Sequence, residues 1–230
     1  MPDSRVACAV TLKPVFEDSQ PALRKVCGVT RPADAAHAAR SGANAIGLIF
    51  YPRSLRAVTP ESAREIVEAL PEDVLKVGVF VSESPADVAD TVGRAGLDVA
   101  QLHGDESPAD CDSLRRAAGG GLKIWKGVRV GSQLDEARLG EFEVDAFLLD
   151  TAVEGSHGGT GTTFPWHLAV PAKRYGKVVL AGGLHGGNVA EAVRAVRPWG
   201  VDASSLLESR PGVKDPRKVE SYLMAAQGGG

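Results

Sequence analysis

Lys76-Val77-Gly78-Val79-Phe80-Val81 is an almost unbroken apolar run in the middle of the chain. A strand with one wet face alternates apolar and polar residues, whereas a strand covered on both faces reads as a continuous run. This stretch therefore predicts a strand of a parallel sheet with helices packed over it. Working outward from 75–81, seven further segments of the same kind appear at 23–28, 45–50, 99–102, 122–128, 146–150, 177–181 and 200–203. They recur at the spacing of one strand plus one helix.

The intervening segments carry helix-start signals. Thr59-Pro60, Ser84-Pro85, Ser107-Pro108 and Asp215-Pro216 each set an oxygen-bearing side chain directly before proline. The oxygen accepts an orphan helix N–H, and proline has no N–H to waste in the first turn. Eight strands alternating with helices predict an α/β fold, a closed (β/α)₈ barrel in a single domain over 23–227. No Gly-x-Gly-x-x-Gly follows the first strand, which argues against an open dinucleotide-binding sheet. Residues 1–22 lack periodicity and are expected to form a flexible N-terminal extension, with 228–230 a loose end.

The chain has 230 residues, 43% of them apolar, enough for one barrel of the usual size, about 250 residues. A net charge of −3 with scattered basic residues provides no footprint for nucleic acid. No apolar run spans a membrane, and no segment combines a signal-peptide core with a cleavage region. Three cysteines, odd in number and far apart, do not make a disulfide framework. A cytoplasmic protein is expected, a monomer rather than a dimer. No Cys or His pair has metal-ligand spacing.

In such a barrel the chemistry sits where strands end. Cys27 closes the first strand in Lys25-Val26-Cys27-Gly28, although a free cysteine is most often a small buried hydrophobe. Asp150 closes the sixth after Phe147-Leu148-Leu149, where desolvation would favour an acid role; capping the next loop is an equal alternative. Gly158-Gly159 follows the sixth strand, Gly182-Gly183 ends the seventh, and Ser204-Ser205 follows the eighth. Exposed backbone N–H groups of such turns bind phosphate, and a barrel's phosphate site lies near its seventh and eighth strands. Arg56 and Arg53, after the second strand, are both candidates to grip a carboxylate in a two-pronged contact. His103, after the fourth strand, and Asp202, on the eighth, face the same mouth as candidate substrate contacts. For His103 a bracing role is an equal alternative.

These motifs, in this order, resemble the phosphoribosylanthranilate isomerase family of tryptophan biosynthesis. The resemblance runs from about Leu23 to Leu223. It rests on Lys25-Val26-Cys27-Gly28-Val29-Thr30, Tyr51-Pro52-Arg53-Ser54-Leu55-Arg56, Gln101-Leu102-His103-Gly104, Leu149-Asp150-Thr151, Gly158-Gly159-Thr160-Gly161, Ala181-Gly182-Gly183-Leu184, Asp202-Ala203-Ser204-Ser205 and Pro211-Gly212-Val213-Lys214-Asp215. It implies an Amadori rearrangement of a sugar-phosphate substrate, with Cys27 as general base, Asp150 as general acid and Arg56, rather than Arg53, on the anthranilate carboxylate. The substrate's own iminium is the electron sink, so neither metal nor cofactor is expected. The base must act as a thiolate.

Three positions depart from the family pattern. Leu206 stands where glycine is usual after Ser204-Ser205, His185-Gly186-Gly187-Asn188 replaces a proline-containing turn, and Pro165 replaces an acid. The leucine is expected to hinder backbone approach to a phosphate. That leaves a barrel with a modified phosphate loop, non-catalytic or altered in substrate, as the alternative reading. The dual histidine/tryptophan isomerases resemble barrels with an aspartate in place of Cys27, so the thiol argues against them.

Overall fold

The structure is a computed structural model that describes residues 20–152 and 163–228. Eight parallel strands close a barrel in sequence order. They are β1 (Leu23–Val26), β2 (Ala45–Ile49), β3 (Leu75–Phe80), β4 (Val99–Leu102), β5 (Lys123–Val130), β6 (Ala146–Thr151), β7 (Val178–Leu180) and β8 (Gly200–Ala203). Closure is by β1 against β8, in a register that pairs Lys25 with Asp202.

All eight strands expected from the apolar runs are present, with shifted ends. β1 stops at Val26, two residues short, because Gly28 turns the chain with φ +70°. β5 runs on to Val130 because Arg129 and Val130 keep pairing with Asp150 and Thr151 of β6.

Helices cover the outside: α1 (Pro32–Arg40), α2 (Pro60–Glu68), α3 (Pro85–Ala95), α4 (Pro108–Ala117), the single turn α5 (Glu136–Leu139), α6 (Val189–Val196) and α7 (Pro216–Gln227). The four expected caps all form. Thr59 accepts from Ser62 N–H, Ser84 from Asp87 N–H, Ser107 from Asp110 N–H, and Asp215 from the N–H groups of Arg217 and Lys218. Each such bond stabilises its helix by about 1 kcal/mol. Asp110 also reaches back to the Ser107 N–H, completing a reciprocal pair.

Between β6 and β7 the described chain forms two 3₁₀ turns, Trp166–Ala169 and Pro171–Arg174. Pro165 offers no cap, and Pro171 lacks the N–H that a continuing α-helix would need. After β8 a two-stranded hairpin, β9 (Glu208–Arg210) and β10 (Val213–Lys214), folds beside the barrel mouth.

Alternation along the strands divides the core in two. One layer lies between sheet and helices; the other fills the barrel itself, with Leu23, Val77, Val99, Trp125, Leu148 and Val179. Trp125 meets Trp199 edge to face at 5.9 Å between ring centres. Above this apolar floor the barrel interior turns polar, with Lys25, Gln101 and Asp202 all buried. Among the described residues no helix is long and apolar enough to cross a membrane.

Candidate active site

Side chains two residues apart on a strand share a face. Lys25 and Cys27 therefore both look into the barrel, Lys25 deeper and Cys27 at the lip. Cys27 is held by a backbone bond from its N–H to Ala203 O at 2.9 Å. Gly28 lets the chain leave the strand beside it. A Cβ at Gly28 would lie 2.6 Å from Arg56 Cδ and 2.9 Å from Ser204 Oγ, so no larger residue fits.

Lys25 is fully buried, and its ammonium donates to Asp202 Oδ2 at 3.0 Å. Burial works against that charge, but Asp202 and Cys27 together hold the Lys25 pKa above its usual value. Burial pushes the Cys27 thiol up; Lys25 pulls it down, Asp202 raises it, and the outcome lies above the ordinary thiol value. Burial beside Asp202 thus favours the proton on sulfur, because a buried anion there is poorly solvated.

Asp150 is the penultimate residue of β6, its Oδ1 accepting from Thr151 N–H at 2.8 Å. Its Oδ2 lies 3.4 Å from His103 Nε2. The His103 ring is seated against Gly127, where a side chain would collide with Nδ1, and that nitrogen meets Gln101 Nε2 at 3.0 Å. His103 thus touches Asp150 and is braced from below.

A cavity of about 50 Å³ opens beside Asp150. Gly182, Gly183, Ser204 and Ser205 line it together with Asp202 and Leu206. The structure thus brings four of the six expected phosphate residues together; Gly158 and Gly159 lie outside the described residues. Leu206 sits within the 3₁₀ turn Ser205–Leu207 and is not among the residues with positive φ. The backbone at this position therefore does not use the left-handed conformation that favours glycine. The replacement turn after β7 is braced by its own side chains: Asn188 Oδ1 accepts from His185 N–H at 2.8 Å, and Asn188 Nδ2 donates to Gly183 O at 2.9 Å.

Arg56 reaches the same mouth from the loop after β2. Its Nε and Nη2 donate to the two oxygens of Glu208 at 2.8 Å each. Lys214 Nζ donates to the same carboxylate at 3.0 Å and to Ser204 O at 3.1 Å. Two cations share one anion, and Arg56 keeps three of its five N–H donors beyond the Glu208 pair. The cluster is short of one negative charge. Arg53 lies exposed on the same loop.

Lys25, Gln101, Glu208 and Lys214 were not singled out in the sequence. A lysine two positions before Cys27 in a buried strand was a readable signal for the first. Nothing local marks Glu208 and Lys214, which meet Arg56 only through the β9–β10 hairpin. Among the described residues no group of three His, Cys, Asp or Glu is placed to hold a metal.

Comparison with known proteins follows the same lines. The family profile described as N-(5'phosphoribosyl)anthranilate (PRA) isomerase matches residues 24–225. The N-(5'-phosphoribosyl)anthranilate isomerase of Citrifermentans bemidjiense is 44% identical over 203 residues, covering 88% of this chain and 96% of that one. The crystal structure of phosphoribosyl anthranilate isomerase from Thermotoga maritima superimposes with a TM-score of 0.81 at 38% identity, over 90% of this chain and 98% of its own. Another, in complex with reduced 1-(o-carboxyphenylamino)-1-deoxyribulose 5-phosphate, superimposes with a TM-score of 0.78 at 36% identity, with the same coverage.

Proposed function

The chain belongs to the N-(5'-phosphoribosyl)anthranilate isomerase family, and from that premise we propose how its barrel mouth performs the reaction. It is an isomerase of tryptophan biosynthesis. It converts N-(5-phosphoribosyl)anthranilate to 1-(2-carboxyphenylamino)-1-deoxyribulose 5-phosphate by an Amadori rearrangement.

Asp150 delivers a proton to the ring oxygen and the furanose opens to a Schiff base. Cys27 then removes the proton from the second sugar carbon, and the electrons flow into the substrate's iminium. Arg56 takes the anthranilate carboxylate, which supplies the negative charge that its cluster with Glu208 and Lys214 lacks. Gly182, Gly183, Ser204 and Ser205, with Gly158 and Gly159, hold the phosphate. Anchoring both ends of the substrate spends binding energy on alignment at the reacting carbon. His103 orients Asp150, and Asp202 lines the same cavity.

The observation that carries this reading is the meeting of a thiol and a carboxylate from different strands at one mouth, flanked by surplus positive charge. Biosynthesis on a small sugar phosphate fits a cytoplasmic location. The test is genetic: the chain should restore growth of a tryptophan auxotroph lacking this isomerase, and Cys27→Ser should not. Failure of the unaltered chain to complement, when expressed and folded, contradicts the reading.

A further inference from the structure

We propose that Asp202, acting through Lys25, accepts the proton that Cys27 must lose before it can serve as the base. The proposal rests on Cys27 being that base.

The site as built poses a problem. A general base needs an empty proton site, yet burial beside Asp202 favours the protonated thiol. Cys27 and Asp202 are each 6% exposed and Lys25 is 0% exposed, so bulk water is a poor acceptor. The acceptor has to lie inside the barrel. Lys25 and Cys27 converge on Gly47: a Cβ there would lie 3.0 Å from Lys25 Nζ and 2.7 Å from Cys27 Sγ. Only a bare glycine leaves room for both. The other side of Lys25 Nζ is bonded to Asp202 Oδ2. The ammonium is thus bonded to the carboxylate on one side and lies on the thiol's side of Gly47 on the other, close enough for the two charges to act on each other.

Asp202 is also suited to receive. Its Oδ1 is buried and has no hydrogen-bond partner among the described residues. A buried carboxylate oxygen left unpaired is costly, and a proton on the group removes the charge that makes it so. Burial accordingly raises the Asp202 pKa; Lys25 opposes this and Asp150 adds to it. The charged and titratable groups that bear on the cluster are Lys25, Cys27 and Asp202 themselves, Lys214 from β10, Arg56 from the loop after β2, Asp150 from β6, His103 after β4 and Tyr222 from α7, whose hydroxyl donates to Lys25 O.

The proton balance closes. Lys25 passes one N–H proton to the Asp202 carboxylate as the Cys27 S–H bond breaks and its proton moves to Nζ. The cluster goes from thiol, ammonium and carboxylate to thiolate, ammonium and carboxylic acid, with no change in net charge. The thiolate takes the carbon-bound proton and becomes a thiol again. Asp150 has meanwhile lost a proton to the ring oxygen, and Asp202 holds one extra. Both carboxyl groups line the same cavity, across which the proton returns.

The test is the single-turnover rate constant as a function of pH for the unaltered enzyme, Asp202→Asn and Cys27→Ser. With an internal acceptor the cluster's proton count does not change as the thiolate forms. The unaltered enzyme should therefore run at a level rate through the neutral range, although burial favours its protonated thiol. Asparagine keeps the shape and an acceptor oxygen for Lys25 but takes no proton. Its rate should fall about 10²-fold at neutral pH, the lower end for a proton-transfer group, and recover with rising pH. Electrostatics alone predicts the opposite sign, because removing an anion beside the sulfur favours the thiolate. A neutral-pH rate for Asp202→Asn that holds or rises overturns the proposal. So does weaker substrate binding with an unchanged rate, the mark of a simple contact. An unaltered enzyme whose rate climbs tenfold per pH unit through neutrality overturns it without any variant. Turnover retained by Cys27→Ser overturns the base assignment as well; collapse of Cys27→Ser with Asp202→Asn unharmed removes only the acceptor.

Discussion

Replacing Glu208 by glutamine tests how the substrate-facing arginine is held. The carboxylate accepts from Arg56 Nε and Nη2 at 2.8 Å each and from Lys214 Nζ at 3.0 Å. Glutamine keeps one acceptor oxygen and turns the other into a donor facing the guanidinium. Two cations are then left without their anion. Removing one partner of a buried ion pair costs about 3–5 kcal/mol. The Arg56 side chain is 18% exposed, and solvent softens the loss, so about 3 kcal/mol is expected, the low end of that range. For a chain of this size that is a fall of roughly 6–12 °C in Tm.

The same change should raise KM, because Arg56 is no longer aimed. The ceiling is the loss of the carboxylate contact itself, about 1.5–3 kcal/mol, or roughly 10–150-fold. Acid sensitivity should change too. Burial alone would push the Glu208 carboxyl up, but Arg56 and Lys214 hold it below the usual glutamate value. A group depressed in the fold stabilises it above the unfolded pKa, about 4.3, and that stability is lost as pH falls through the folded value. The unaltered chain should therefore lose stability more steeply below that pH than Glu208→Gln. Thermal melts across pH, with KM measured on the same preparations, make the assay. A Tm within about 2 °C of the unaltered value, equivalent to no more than ~1 kcal/mol, would refute the view that this carboxylate organises Arg56.

Arg56→Ala should weaken substrate binding by about 1.5–3 kcal/mol, and leave a substrate analogue lacking the carboxylate unaffected; equal losses for both would contradict the assignment. Leu206→Gly should bind inorganic phosphate no more tightly in calorimetry and should cost about 0.5–1 kcal/mol of stability, since the turn does not need glycine's freedom. Tenfold tighter phosphate binding would show that the leucine does obstruct the cavity. Ser107→Ala, which removes the side-chain arm of the α4 cap exchange and leaves the backbone N–H bond to Asp110, should lower unfolding stability by about 1 kcal/mol, visible as a shifted urea midpoint with unchanged turnover.

The barrel was legible because its evidence is local and repeated. Continuous runs such as 75–81 mark strands buried on both faces, and a cap residue before proline marks each of four helix starts. Strand ends then place Cys27, Asp150 and Ser204 at one rim without further information. The charges inside the barrel were harder to read. Lys25 is adjacent in sequence to its target, two residues from Cys27, but its counter-ion Asp202 is brought beside it only by the β1–β8 closure. Glu208 joins Arg56 across 152 positions through a hairpin that short strands and a Pro-Gly turn barely announce. The balance that sets the thiol's proton affinity depends on burial and on those distant charges together, so it could not be read from the residues around Cys27 alone. The 3₁₀ turns before β7 follow from Pro165 and Pro171, which were visible but do not by themselves distinguish a displaced helix start from a lost helix.

The central claim is that Cys27 and Asp150 are the base and acid of one rearrangement. The direct measurement is turnover of N-(5-phosphoribosyl)anthranilate by the purified full chain, Cys27→Ser and Asp150→Asn, with folding of each checked by circular dichroism. The unaltered chain should form the deoxyribulose phosphate product. Each variant should lose about 10²–10⁴-fold in turnover, the range for a proton-transfer group, while Asp150→Asn keeps its affinity for substrate. Turnover within a factor of a few of the unaltered chain in either folded variant would contradict the account.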